Sequence, residues 1–303
     1  MANGQTKIYD MITDRICEML EQGVIPWHKP WRTTDGQAVK NLVSKHGYRG
    51  INVAMLSCQG YGSPYWMTYN QAKGLGGNVV KGEHGTPVIF WKWREFEEEV
   101  EGKNGTETRK RSVPFLRYYT VFNLEQIEGL PENKIPEAPT TIKPMEPIEE
   151  CKKIVDGYKN APEIRHGGNK AYYNPALDLI GMPKAENFES REAYYDTCFH
   201  EMVHSTGNTK RLDRPVGVSS FGSKMYSKEE LVAEMGAAFL CGESGIEERG
   251  LIENQAGYIQ SWLQSLRNDR KMVIMAAAQG QKAADHILDR QFQKKEESPS
   301  DES

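Results

Sequence analysis

A chain of 303 residues, 38% of them hydrophobic and 26% charged, is long enough for about two domains of ~150 residues, each with its own core. That excludes a disulfide-stapled miniprotein. A mean hydropathy of −0.67, with no apolar run near the ~20 residues of a membrane span, excludes a membrane protein and a membrane partner. The formal net charge of −4 would argue against a nucleic-acid partner only if charge were spread evenly, which it is not.

The N-terminus has no basic flank followed by an apolar stretch, so no secretory signal is read there and a cytoplasmic location is expected. Cys17, Cys58, Cys151, Cys198 and Cys241 are widely spaced and form no CxxC pair, as expected where thiols stay reduced. In chain order, apolar residues at Ile12, Ile16, Met19 and Leu20 predict a helix over Tyr9–Gln22, ended by Gly23. β-branched and aromatic runs at Val79-Val80, Pro87–Trp91 and Phe115–Phe122 predict strands. Between the last two, the acidic segment Glu95–Glu107 with its Gly102-Lys103-Asn104-Gly105 reads as a solvated hairpin tip or loop. Residues 1–134 carry 17 Lys+Arg and 15 Asp+Glu, but six of those acids lie in that one segment. The rest of this part can therefore present a basic face.

Five prolines between 131 and 147 deny regular structure and mark a linker. Beyond it, Ile148–Tyr158 predicts a helix. Ile164–His166, Ala171–Tyr173 and Leu177–Ile180 predict short strands, with Gly167-Gly168-Asn169 as a turn. Four helices then follow, from Ser190 to about Ser205, Ser227 to about Cys241, Asn254 to Leu266, and Lys271 to Phe292. The expected organisation is α+β in two domains, 1–130 and 148–292, joined by a linker at 131–147 and followed by a polar, disordered tail at 293–303.

The sharpest motif is His200-Glu201-Met202-Val203-His204, an HExxH on a predicted helix. The i, i+4 spacing puts both imidazoles on one face, where they can share a tetrahedral cation. Glu201 then lies beside the open position, where a carboxylate can take a proton from water and pass it to a leaving amine. A catalytic ion needs a third protein ligand, and none follows at short range: Gly207 is followed three residues later by Lys210. The segment Glu229-Glu230-Leu231-Val232-Ala233-Glu234 resembles the downstream glutamate helix of gluzincins. That resemblance implies Glu230 as third ligand, with Glu234 holding a ligand histidine from behind. Glu229 and Glu234 stay open as alternatives for the ligand. The expected cofactor is a divalent metal, zinc first.

In the first part, flat rings alternate with cations: Trp27, Lys29, Trp31, Arg32, then Tyr48-Arg49, then Trp66, then Lys92, Trp93, Arg94. Rings that stack on unpaired bases beside cations that hold phosphates are what a single strand requires. These residues are the DNA-binding candidates.

Ile25–Trp31, Tyr48-Arg49-Gly50-Ile51-Asn52, Trp66 with Thr68 and Gln71, Gly82–Gly85, and Tyr119 with Val121-Phe122-Asn123 together resemble the N-terminal domain of ArdC-type antirestriction proteins. Phe199–Gly207 with Glu229–Leu240 resembles the family's zincin-like metallopeptidase domain. The family and the related N-terminal region of TraC-type primases are associated with conjugative plasmids. The resemblance implies single-stranded DNA binding and protection of incoming DNA from host restriction, with metal on His200, His204 and Glu230 and catalysis by Glu201. Two other readings stand beside it. One is a metal-dependent protease aimed at a host restriction enzyme or another protein and delivered by its DNA-binding domain. The other is a DNA-binding protein whose metal is purely structural.

Overall fold

A computed structural model of the chain describes residues 2–28, 38–102, 105–136, 146–214, 224–246 and 255–291. Helix α1 (Ala2–Glu21) starts earlier than its apolar spacing predicts. Ile8, Tyr9, Ile12, Ile16 and Leu20 are buried on one face, whereas the polar residues before them leave no periodic mark in the sequence. Gly23, at φ 78°, closes the helix in the left-handed conformation that glycine adopts without penalty.

The chain continues through β1 (Lys40–Asn41), α2 (Ile51–Ser57), β2 (Tyr65–Met67), α3 (Tyr69–Gly74), β3 (Asn78–Val79), β4 (Thr86–Gly102), β5 (Gly105–Asn123) and β6 (Ile127–Glu128). Four of these strands form one sheet in the order β1-β2-β5-β4, and β3 pairs with β6. Helix α3 opens with a reciprocal cap, in which Thr68 Oγ1 accepts from Gln71 N at 3.2 Å and Gln71 Oε1 accepts from Thr68 N at 2.9 Å. This device ties two backbone N–H groups that the first turn cannot satisfy.

The β4–β5 ladder runs unbroken from Thr86↔Val121 to Gly102↔Gly105. Glu95–Glu107 is thus strand almost throughout rather than loop. Glu97 faces Lys110 in register, and Glu95 lies 3.7 Å from Lys110. Opposite charges across a ladder stabilise it by ~0.2–1 kcal/mol per pair, a support that is invisible when the acidic strand is read alone.

The second part comprises α4 (Pro147–Gly157), β7 (Glu163–His166), β8 (Tyr172–Asn174), β9 (Leu179–Met182), α5 (Arg191–Ser205), α6 (Lys224–Ser244), α7 (Gln255–Asn268) and α8 (Met272–Ile287). The α+β class is as expected. Strand β9 is buried along its length between parallel β7 and antiparallel β8. Helix α8 stops short of the expected Phe292, with Asp289 at φ 53° just past its end. Much of the expected linker and all of the tail lie outside the described residues.

The buried cluster runs on from α1 and α2 through β9, α5, α6 and α8, so the two parts share one apolar interior. Polar contacts reinforce the junction. Thr13 Oγ1 donates to Arg270 O at 2.7 Å, and Gly50 N donates to Gln281 Oε1 at 3.1 Å. Within the second part, α6 approaches its neighbours closely. A Cβ on Gly236 would lie 2.7 Å from Val203 Cγ2, and one on Gly280 would lie 2.8 Å from Gly236 N. These two glycines let α6 nest between α5 and α8, which sets how near α6 side chains come to those of α5. Among the described residues all five cysteines are free, and no helix is long and apolar enough to cross a membrane.

Candidate metal centre

Helix α5 is started by Ser190, whose Oγ accepts from Ala193 N at 3.0 Å, as the sequence predicts. One helical turn apart on its later half, His200 and His204 bring their Nε2 atoms to 3.1 Å. Across the gap that Gly236 keeps narrow, Glu230 of α6 places Oε2 3.6 Å from His200 Nε2 and Oε1 3.5 Å from His204 Nε2. Two donors ~2.0–2.1 Å from one tetrahedral ion stand about 3.3 Å apart. The three separations cluster around that value, so His200, His204 and Glu230 fit a shared cation. They form the one group of candidate metal ligands among the described residues.

Glu229, rather than the expected Glu234, lies against one of the two histidines. Its Oε1 lies 3.5 Å from His204 Nδ1, the nitrogen that faces away from the cluster, where an acceptor fixes a ligand's tautomer and orientation. Arg214, 8% exposed, anchors Glu229 with a 2.8 Å bond to the same oxygen. It also donates to Thr206 Oγ1 at 2.6 Å and Val203 O at 2.9 Å. One guanidinium thus locks the end of α5 to the start of α6. Burial raises the Glu229 carboxyl, but His204 and Arg214 outweigh it and hold it below its ordinary range.

Glu234 instead bonds away from the ligand histidines. His28 Nε2 lies 3.2 Å from its Oε2, and Tyr258 OH donates to its Oε1 at 3.1 Å. Glu201 is 8% exposed, and among the described residues no side chain hydrogen-bonds or ion-pairs its carboxylate.

Without metal, the cluster must share protons. Burial pushes His200 down, but contact with Glu230 and the charges of Glu234 and Glu201 outweigh it and lift its pKa to about 9. The free imidazole titrates near 6.5, so the folded value is the higher one. The stabilisation is therefore complete below pH ~6.5 and is lost as pH rises through about 9. The metal-free protein is expected to lose thermal stability between pH 7 and 9.5, whereas the metal-loaded protein holds its Tm over that range. Scanning calorimetry of both forms checks this.

The DNA-binding candidates separate. Trp27 and Trp66 are 0% and 1% exposed, so neither can offer a ring face to a base, and both are packing anchors. Trp27 donates to Tyr258 OH at 3.1 Å and meets Trp262 edge-on at 5.8 Å, while Trp66 meets Tyr61 edge-on at 5.5 Å. Arg49 is ion-paired to Asp285 of α8 and docks the two parts together. Lys92, Trp93 and Arg94 are exposed on β4. Lys29, Trp31 and Arg32 lie outside the described residues.

Residues 6–122 match the family described as the N-terminal domain of anti-restriction factor ArdC, and residues 151–279 match the zincin-like metallopeptidases. The uncharacterized protein y4eC of Sinorhizobium fredii is 34% identical over 289 residues, 92% of this chain and 91% of that protein. A DNA primase TraC of Escherichia coli is 34% identical over 303 residues, 95% of this chain but 28% of the primase, so the chain spans less than a third of that relative. The crystal structure of antirestriction protein ArdC from the R388 plasmid, in its metal-free form, matches at a TM-score of 0.69 and 37% identity, covering 94% of this chain and 99% of that one. Its Mn(II)-bound structure matches at 0.69 and 38% identity, covering 93% and 97%. The chain belongs to the ArdC-type antirestriction family, with an ArdC N-terminal domain followed by a zincin-like metallopeptidase domain.

Proposed function

We propose that the chain is a plasmid-type antirestriction factor that binds single-stranded DNA through its N-terminal domain and carries a zinc-dependent peptidase centre in its second domain. The observation that carries this reading is the convergence of His200, His204 and Glu230 on one point, beside the unpartnered Glu201. Two imidazoles and a carboxylate are a donor set that suits zinc, and the R388 relative is a Mn(II) binder. Held by these three side chains, a divalent ion supplies Lewis-acid polarisation of a carbonyl and acidifies water. Glu201 takes a proton from the attacking water and returns it to the departing amine. Glu229 and Arg214 keep His204 oriented throughout. The likeness to antirestriction proteins favours DNA arriving in the cytoplasm as the setting, with a host restriction enzyme as a candidate protein substrate.

For the strand, the hairpin offers a two-faced ribbon. Alternation along β4 and β5 places Phe90, Lys92, Arg94 and Phe96 on one face, opposite Arg117, Phe115, Val113 and Arg111 in register. Arg94 stacks over the Phe115 ring at 5.2 Å, and Phe96 lies 6.3 Å from it. Trp91 and Trp93 project from the other face. The mixed ring-and-cation face is the one that fits bases and phosphates together.

Two measurements test the proposal. A fluorogenic peptide library is cleaved by the zinc-loaded full chain and spared after chelation; no cleavage in either state removes the peptidase reading. Arg94→Glu with Arg111→Glu weakens single-strand binding at least tenfold at moderate salt and lowers the salt slope by roughly 0.7 per lost phosphate contact. Trp93→Ala does neither. Equal damage from Trp93→Ala would place the strand on the wrong face.

A further inference from the structure

Glu230 and Glu234 stand one turn apart on the same side of α6, a spacing at which two side chains reach a common point. Only Glu230 joins the histidines. Glu234 is drawn off by two groups from other elements, His28 Nε2 at 3.2 Å and Tyr258 OH at 3.1 Å. Tyr258 is itself steadied by the Trp27 indole, 3.1 Å away, and its hydroxyl lies 3.4 Å from His28 Nε2. Trp27 and His28 both belong to the N-terminal domain, more than 200 residues from Glu234 in sequence. Nothing within the second domain's own ligand set requires this arrangement.

We propose that His28, with Tyr258, withholds Glu234 from the metal, so that the N-terminal domain keeps the coordination sphere open. The inference rests on the metal-centre reading above and adds its regulation. Glu234 sits in an enclosed site where an anion stripped of its partners is costly. Without His28, Glu234 would keep only Tyr258, and a divalent ion held by His200, His204 and Glu230 would compete for its carboxylate. A sphere of two histidines and one glutamate has an exchangeable position, as catalytic sites do; a second glutamate makes it the closed four-ligand sphere of structural sites. Any event that carries Trp27 and His28 away from α6 thus converts a working centre into a blocked one.

Mn(II) bound to the full-length protein is the probe, read by its affinity and by water-proton relaxivity, which counts exchangeable water on the ion. His28→Ala is expected to bind Mn(II) about tenfold more tightly, with lower relaxivity and reduced peptidase activity. His28→Gln, which still offers a donor to Glu234, behaves as wild type. His28→Ala with Glu234→Ala regains the wild-type relaxivity. Tyr258→Phe shifts both readouts in the same direction as His28→Ala and gives an independent test should that variant fail to fold. A His28→Ala protein with wild-type relaxivity and unchanged or weaker affinity overturns the proposal, as does a shift that survives removal of Glu234. A wild-type protein that binds no Mn(II) overturns the metal-centre reading itself, a failure that the wild-type titration alone reveals.

Discussion

Glu201→Gln is expected to retain its metal and lose cleavage by about 10²–10⁴-fold. The amide has nearly the shape of the carboxylate and leaves His200, His204 and Glu230 untouched, so metal titration should superimpose on wild type. What disappears is the only unpartnered carboxylate at the centre among the described residues that can accept a proton from water. The same variant separates the two functions the family likeness brings together. If protection of incoming DNA depends on proteolysis, it falls with cleavage in a transfer assay against a restricting host. If protection persists in a variant that no longer cleaves, strand binding alone accounts for it.

Arg214→Ala is expected to be the most destabilising single change near the site. Arg214 bonds Glu229, Thr206 and Val203 from an enclosed position, and its removal strands the Glu229 charge with His204 as its remaining partner. Breaking a buried pair from one side costs about 3–5 kcal/mol, which urea unfolding of the metal-free protein measures directly. Loss of a group that orients a ligand histidine adds a fall of ~10–100-fold in metal affinity. Arg214→Lys should rescue neither quantity, because an ammonium cannot span three acceptors as a planar fork does. Arg165→Ala is the control: it removes an equally short bond, 2.8 Å to Glu163, but at an exposed pair, and it should leave the unfolding curve in place.

The elements carrying the chemistry were legible because each is written locally. HExxH sets its own helical geometry, Ser190 its own cap, and the acidic stretch Glu229–Glu234 of α6 lies a short distance downstream. Glu230 is implied by likeness to a known helix rather than by spacing, and spacing alone does not rank Glu229 against Glu234. Their roles depend on Arg214, His28 and Tyr258, which reach them across tertiary contacts separated by 15, 206 and 24 positions. No periodicity encodes such partners. Composition does not report exposure: Trp27 and Trp66 have the residue type of a stacking platform and the burial of core anchors. In the stretch Trp91-Lys92-Trp93-Arg94, rings and cations adjacent in sequence are split by strand alternation onto opposite faces. The rings that accompany the cations, Phe96 and Phe115, come from two positions along β4 and from the partner strand.

His200, His204 and Glu230 are proposed to hold one divalent ion. Elemental analysis of the purified full chain, set beside a His200→Ala, His204→Ala double variant, tests it most directly. One ion per chain is expected in the wild type and none in the variant. Equal metal content in the two proteins, or none in wild type after incubation with zinc, would contradict it.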